Sequence, residues 1–158
     1  MVEIHNSVAK IYEENKETLE IFECLDEFSD TQNFCDHYGF DIEDSCNAIL
    51  IKAKKPEEFY AMFCVLGANR LDVNHKAKEA MGAKRVSFAS REEAEAVTGQ
   101  IYGGISPLGL PENIKVYMDK NVTDREKLFI GAGNRVSKFF LSPETLIQLS
   151  SATVLDLT

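Results

Sequence analysis

Ser45-Cys46-Asn47-Ala48-Ile49-Leu50-Ile51-Lys52-Ala53 is where the sequence changes its period. The run is nearly continuous in apolar residues and ends in charge, the pattern of a strand buried on both faces rather than of an amphipathic helix. Phe59 to Leu66 reads the same way, so two strands follow each other closely. Before them the pattern is helical. Asn6 or Ser7 caps a first helix that carries Val8, Ile11, Tyr12, Leu19 and Phe22 on one broad stripe, which predicts an N-terminal helix within residues 1–30. A shorter helix with Phe34, Cys35 and Tyr38 is stopped by Gly39.

Beyond the paired strands, Asp72 caps a helix through Ala77, Ala80 and Met81 that Gly82 closes, and Arg85 to Ala89 is a strand. Ser90-Arg91-Glu92-Glu93 fits a capping box, and Gly99 ends the helix it starts. Strands are expected at Ile114–Met118, Lys127–Ile130 and Lys138–Leu141. Ser142-Pro143-Glu144 opens a last helix, and Ala152–Leu157 is a last strand. Early helices followed by strands interrupted by single helices indicate α+β with a mixed sheet, not a regular βαβ repeat. Gly131-Ala132-Gly133 lacks the third glycine of a dinucleotide fingerprint, and no phosphate-binding G-x-x-x-x-G-K-[ST] occurs.

The 158 residues, 44% of them apolar, suffice for one core, and no repeat or linker divides them, so a single domain over residues 1–158 is expected. The start lacks a basic segment followed by an apolar run, and no stretch approaches a membrane span, which predicts a cytoplasmic protein. Cys24, Cys35, Cys46 and Cys64 form no C-x-x-C pair. Buried, reduced thiols are expected, with no metal and no organic cofactor. The net charge of -9 and pI near 4.8 exclude a broad basic face for DNA, so any RNA contact must be local. Glu13, Glu14, Glu17, Glu20, Glu23, Asp26, Glu27 and Asp30 read as a solvated face.

The least ordinary segment is Gly103-Gly104-Ile105-Ser106-Pro107-Leu108-Gly109. Paired glycines allow positive φ and close approach to another molecule, and Pro107 fixes its neighbours. Backbone N–H groups held in this way can bind a carbonyl oxygen or a developing oxyanion, whereas the plainer reading is a tight turn. A β-carbon at Gly104 is expected to occupy the space that a ligand carbonyl would enter. His5, His37 and His75 stand in unrelated polar contexts, so no nucleophile–base pair is visible.

The order of Arg70-Leu71-Asp72, Ala80-Met81-Gly82-Ala83-Lys84-Arg85-Val86, Glu92-Glu93-Ala94, Thr98-Gly99 and the GGISPLG loop resembles the YbaK/prolyl-tRNA-synthetase-associated editing domain family. Gly131-Ala132-Gly133-Asn134-Arg135 and Ser142-Pro143-Glu144-Thr145-Leu146 continue the likeness, which runs from about Tyr38 to the C-terminus. The resemblance implies a mixed, barrel-like sheet flanked by helices. It also implies a trans-acting aminoacyl-tRNA deacylase that clears substrates of the Cys-tRNA(Pro) or Ala-tRNA(Pro) type. Its partners would be the 3′ end of aminoacyl-tRNA and prolyl-tRNA synthetase, with no membrane involved. The catalytic loop would be Gly103, Gly104, Ile105, Ser106 and Pro107, with the amides of Gly104 to Ser106 gripping the substrate and holding a water. Asn47, Gly133 and Asn134 would complete the substrate site.

One position departs from the family's pattern. Asn47 stands where a lysine is usual, and asparagine hydrogen-bonds but brings no charge. A non-catalytic module that binds an aminoacyl-adenosine-like ligand or a synthetase is therefore the alternative reading. Lys52 and Lys54 lie at odd spacing from Asn47 and so face the other side of a regular strand.

Overall fold

The computed structural model describes residues 2–158. In chain order the elements are α1 (Asn6–Glu14), β1 (Glu20–Glu23), α2 (Thr31–Tyr38), β2 (Cys46–Lys55), β3 (Phe59–Leu66), α3 (Lys78–Met81) and β4 (Arg85–Phe88). They continue as α4 (Arg91–Thr98), β5 (Lys115–Asp119), β6 (Leu128–Gly131), β7 (Ser137–Leu141), α5 (Pro143–Ser150) and β8 (Thr153–Leu155). The α+β expectation holds, with antiparallel and parallel pairs mixed.

Two sheets share these strands, one in the order β4-β2-β3-β5-β8 and one in the order β1-β7-β6. A parallel bridge between Ser45 and Phe129 joins them, so the assembly curves like a barrel without closing into one. β2 and β3 pair antiparallel from Cys46↔Leu66 to Ala53↔Phe59. Both of their faces are covered, which is why their sequences are apolar without alternation. Leu50, Met62 and Cys64 face the main core with Val116, Met118, Ile130, Leu141 and Leu146. Ile51, Ala53, Phe63 and Val65 face the other way, under Leu71, Ala77, Met81 and Leu157.

Local signals at the helix ends act as read. Gly39, Gly82 and Gly99 take left-handed φ at the ends of α2, α3 and α4. The Ser90–Glu93 capping box forms in both directions. The Asp72 side chain accepts from the His75 N–H, and a π turn at Val73–Ala77 leads into α3.

The N-terminal segment differs from its reading. α1 ends at Glu14, His5 caps it through its ring nitrogen, and Leu19 and Phe22 lie beyond it. Glu20 to Glu23 instead form a strand on β7, with Phe22 opposite Lys138. The unpaired edge of β7 offers four residues of backbone pairing, and Phe22 gains edge contacts with Phe34, Tyr38, Phe40 and Phe140. The eight acidic residues are all exposed, but they come from a helix, a strand and turns rather than from one helical face. All four cysteines are buried and free. Among the described residues no helix is long and apolar enough to cross a membrane.

Candidate functional site

A cleft of about 600 Å³ opens where the two neighbours of β2 diverge. On that edge β2 meets β6 at Ser45 and meets β4 only from Leu50, whose carbonyl accepts from the Ala89 N–H. Residues 46–49 between these points border the cleft, with Gly103, Gly104, Ile105, Gly131, Arg135 and Lys138 around them. Two residues beyond the Ser45–Phe129 bridge come Asn47 and Gly131, and Gly131 is opposite Lys138 on β7. Asn47, Gly131 and Lys138 thus follow one another across three neighbouring strands, all on the cleft.

The glycine loop lies on this row. A β-carbon on Gly131 would fall on the carbonyls of Gly104 and Ile105, so only glycine lets the loop rest on β6. Gly133 pins the loop from behind, donating to the Gly104 carbonyl at 2.7 Å and accepting from the Ile101 N–H at 2.9 Å. Gly103 carries the positive φ of the pair, +92°. Gly104 has another reason to be glycine, since its β-carbon would meet the Asn134 backbone carbonyl and not the cleft, contrary to the sequence expectation.

A residue that the sequence reading passed over sets the loop's far half. Gln100, 2% exposed, accepts from the Ser106 N–H at 2.6 Å and donates to the Leu108 carbonyl at 2.9 Å. The amide of Gly104 also has a partner, the Ile101 carbonyl at 3.0 Å. Of the three amides expected to grip a ligand, only that of Ile105 is without a partner among the described residues. Ser106 is wholly buried with its hydroxyl accepting from the Leu108 N–H, and Pro107 borders a different cavity beside Leu110 and Tyr117.

Asn47 lines the cleft, its side-chain oxygen 3.4 Å from the Ser45 hydroxyl. Asn134 is buried behind the loop, where it accepts from the Val136 N–H and the Ser137 hydroxyl and donates to the Glu3 carbonyl. Gly133 and Asn134 therefore hold the loop's backbone and do not border the cleft. Lys52 faces away, as its parity indicates, and binds Glu93 at 2.7 Å. That ammonium, the Ser90 amide and the Tyr60 hydroxyl hold the Glu93 carboxyl down to about 2.

Two cations that the sequence did not single out stand in the cleft. Arg135 is tied to the carboxylate of Asp26 at 2.8 Å and to its carbonyl at 3.2 Å. Lys138 is 6% exposed, donates to the Ser29 carbonyl at 3.0 Å and lies 5.0 Å above the Phe34 ring. Burial pushes its ammonium below the usual lysine range, and Arg135 adds to the shift. At the rim, Phe88 and Tyr102 are 62% and 48% exposed, and the Arg91 guanidinium sits 5.8 Å from the Tyr102 ring centre. Among the described residues no group of His, Cys, Asp or Glu is placed to hold a metal.

The sequence profile of the aminoacyl-tRNA editing domain matches residues 26–149, well over half of the chain. The chain belongs to the aminoacyl-tRNA editing domain family. A relative from Enterococcus faecalis, provisionally named Cys-tRNA(Pro)/Cys-tRNA(Cys) deacylase EbsC, is 30% identical over 92 residues, which are 58% of this chain and 56% of that protein. A proline–tRNA ligase from Nautilia profundicola is 33% identical over 106 residues, 66% of this chain but 18% of the ligase. The chain therefore matches about half of the first relative and a minor part of the second. A crystal structure provisionally described as a trans-editing enzyme for prolyl-tRNA synthetase superposes with a TM-score of 0.82 at 22% identity, over 99% of both chains. At that identity the likeness speaks for the fold. The editing-domain match spans β2, the glycine loop and the Gly131 to Arg135 turn, so all of the cleft's parts fall inside it.

Proposed function

We propose that this editing domain is a trans-acting aminoacyl-tRNA deacylase, which hydrolyses the ester between a wrong amino acid and the terminal ribose of tRNA. A substrate of the Cys-tRNA(Pro) type is the first to expect, in line with the name of the Enterococcus faecalis relative, and Ala-tRNA(Pro) is the second. The observation that carries the reading is the Ile105 amide, without a partner among the described residues, on a loop that is fixed from both sides and borders a cleft that also holds a buried cation. A donor held rigidly in this way stabilises an acyl oxygen without reorganising during the reaction.

Hydrolysis needs no protein nucleophile. A water oxygen bonds to the ester carbon while the carbonyl pair moves onto its oxygen. Collapse then breaks the bond to the ribose oxygen, which takes the proton that the water releases. Asn47 supplies an uncharged hydrogen-bonding side chain for the ribose or the acyl group. The exposed rings of Phe88 and Tyr102 at the mouth suit the terminal adenine by stacking. The strongly acidic surface elsewhere restricts RNA contact to this mouth, where Arg91 and Arg135 stand.

The test is deacylation of a panel of mischarged tRNAs by the purified chain, with prolyl-tRNA carrying proline as the correct control. Release of cysteine or alanine well above the spontaneous rate supports the reading. Tight binding of an aminoacyl-adenosine amide with no release from any ester would instead make the domain a binding module.

A further inference from the structure

Lys138 is the one cation lining the cleft that has no carboxylate partner among the described residues. A buried ammonium is costly unless a counter-charge offsets it, yet no carboxylate lies within ion-pair distance among the described residues. Arg135, next along the cleft, already has Asp26. Of the three N–H donors on Lys138, one is used on the Ser29 carbonyl, and the Phe34 ring face lies beneath the head. Ser29 in turn donates to the Gly103 carbonyl at 3.4 Å, so the lysine and the glycine loop share a neighbour. Between Lys138 and Asn47 stands Gly131, which has no side chain to block the ammonium from the loop.

We propose that Lys138 is the catalytic cation of this cleft, donating to the acyl oxygen as it becomes an anion during ester hydrolysis. The inference rests on the deacylase reading and names the group that serves it. The bound ester is neutral at its carbonyl, and the tetrahedral intermediate carries a full negative charge on that oxygen. An ammonium held without a counter-ion in a dry site therefore gains most in the transition state, which raises turnover rather than affinity. The isolated charge is then a functional arrangement that costs the fold stability.

Four measurements on Lys138→Met and Lys138→Gln beside the parent test this. Single-turnover deacylation of Cys-tRNA(Pro) should fall about 100- to 1,000-fold. Affinity for a non-hydrolysable 3′-amide of aminoacyl-adenosine should stay within about three-fold of the parent, because its carbonyl never becomes an anion. The Lys138→Met melting temperature should rise, because a buried unpaired charge is replaced by an apolar chain of similar length. The parent's rate, corrected for spontaneous hydrolysis, should decline at alkaline pH with a midpoint below the ordinary lysine range, and both variants should lack that decline. Arg135, Asp30 and the thiols of Cys24 and Cys35 are the charged and titratable groups around Lys138 that set the midpoint.

A lower melting temperature together with equal losses of binding and turnover would make Lys138 a structural clamp on Ser29 and overturn the proposal. So would variants that hydrolyse at the parent rate. A parent that binds the amide but hydrolyses no ester refutes the deacylase reading itself, and the role of Lys138 with it, which is a distinct outcome from active variants.

Discussion

A β-carbon built on Gly104 falls on the backbone carbonyl of Asn134. The two segments, thirty residues apart in sequence, are in backbone contact, and the Gly133 N–H donates to the Gly104 carbonyl within the same contact. The absence of a side chain at Gly104 thus serves the packing of loop on turn, while the backbone of Gly103, Gly104 and Ile105 borders the cleft.

Gly104→Ala is accordingly expected to destabilise the fold by about 1–3 kcal/mol or more, the range of overpacking, because backbone cannot move aside as a side-chain end does. Chemical denaturation of the variant beside the parent measures it. Unchanged stability would mean that loop and turn separate without cost.

Gln100→Ala should leave the Ser106 amide and the Leu108 carbonyl without their partner. Each such buried group costs about 1–3 kcal/mol, less whatever an entering water recovers. Activity should fall further than stability alone explains, since the Ile105 donor loses its anchored neighbour. Deacylation at a temperature where the variant is fully folded separates the two effects, and full activity there would show that Gln100 serves only the fold.

Phe88→Ala and Tyr102→Ala are expected to weaken the substrate's base contact. Stacking on an aromatic ring is worth about 1–3 kcal/mol per base, so a rise in KM for aminoacyl-tRNA of about 5- to 150-fold follows for the ring that is used. Hydrolysis of an aminoacyl ester without a nucleobase should not change. Equal effects on both substrates would place these rings in the fold rather than at the base.

Glu93 should contribute to acid stability. Its carboxyl is held at about 2 in the folded chain, first by Lys52, against an ordinary value of 4.5. A depressed carboxylate stabilises the folded state above its unfolded value, and that contribution is lost as pH falls from about 4.5 toward 2. Glu93→Gln should therefore be less stable at neutral pH and flatter across that acid window. Thermal melts from pH 2 to 7 check it, and parallel curves for parent and variant would contradict the shift.

Much of this domain was legible in its sequence because the signals involved are local. The nearly continuous apolar runs of β2 and β3, the Ser90–Glu93 box and the left-handed glycines at 39, 82 and 99 depend on residues within a turn or a strand of each other. The glycine loop stood out for the same reason, as did the parity that turns Lys52 away from Asn47.

Tertiary structure alone decided what lies far apart in the chain. Glu20 to Glu23 became a strand because β7, more than a hundred residues later, presented an open edge and an aromatic cluster for Phe22. Gly131 and Gly104 are glycines because distant backbones press on them, which no pattern of neighbours reveals. Lys138 read as the first residue of a strand. Its meaning came from the arrival of Ser29, Phe34 and the Gly103–Ile105 loop around it, because burial and the lack of a counter-charge are properties of the assembled neighbourhood and not of the residue.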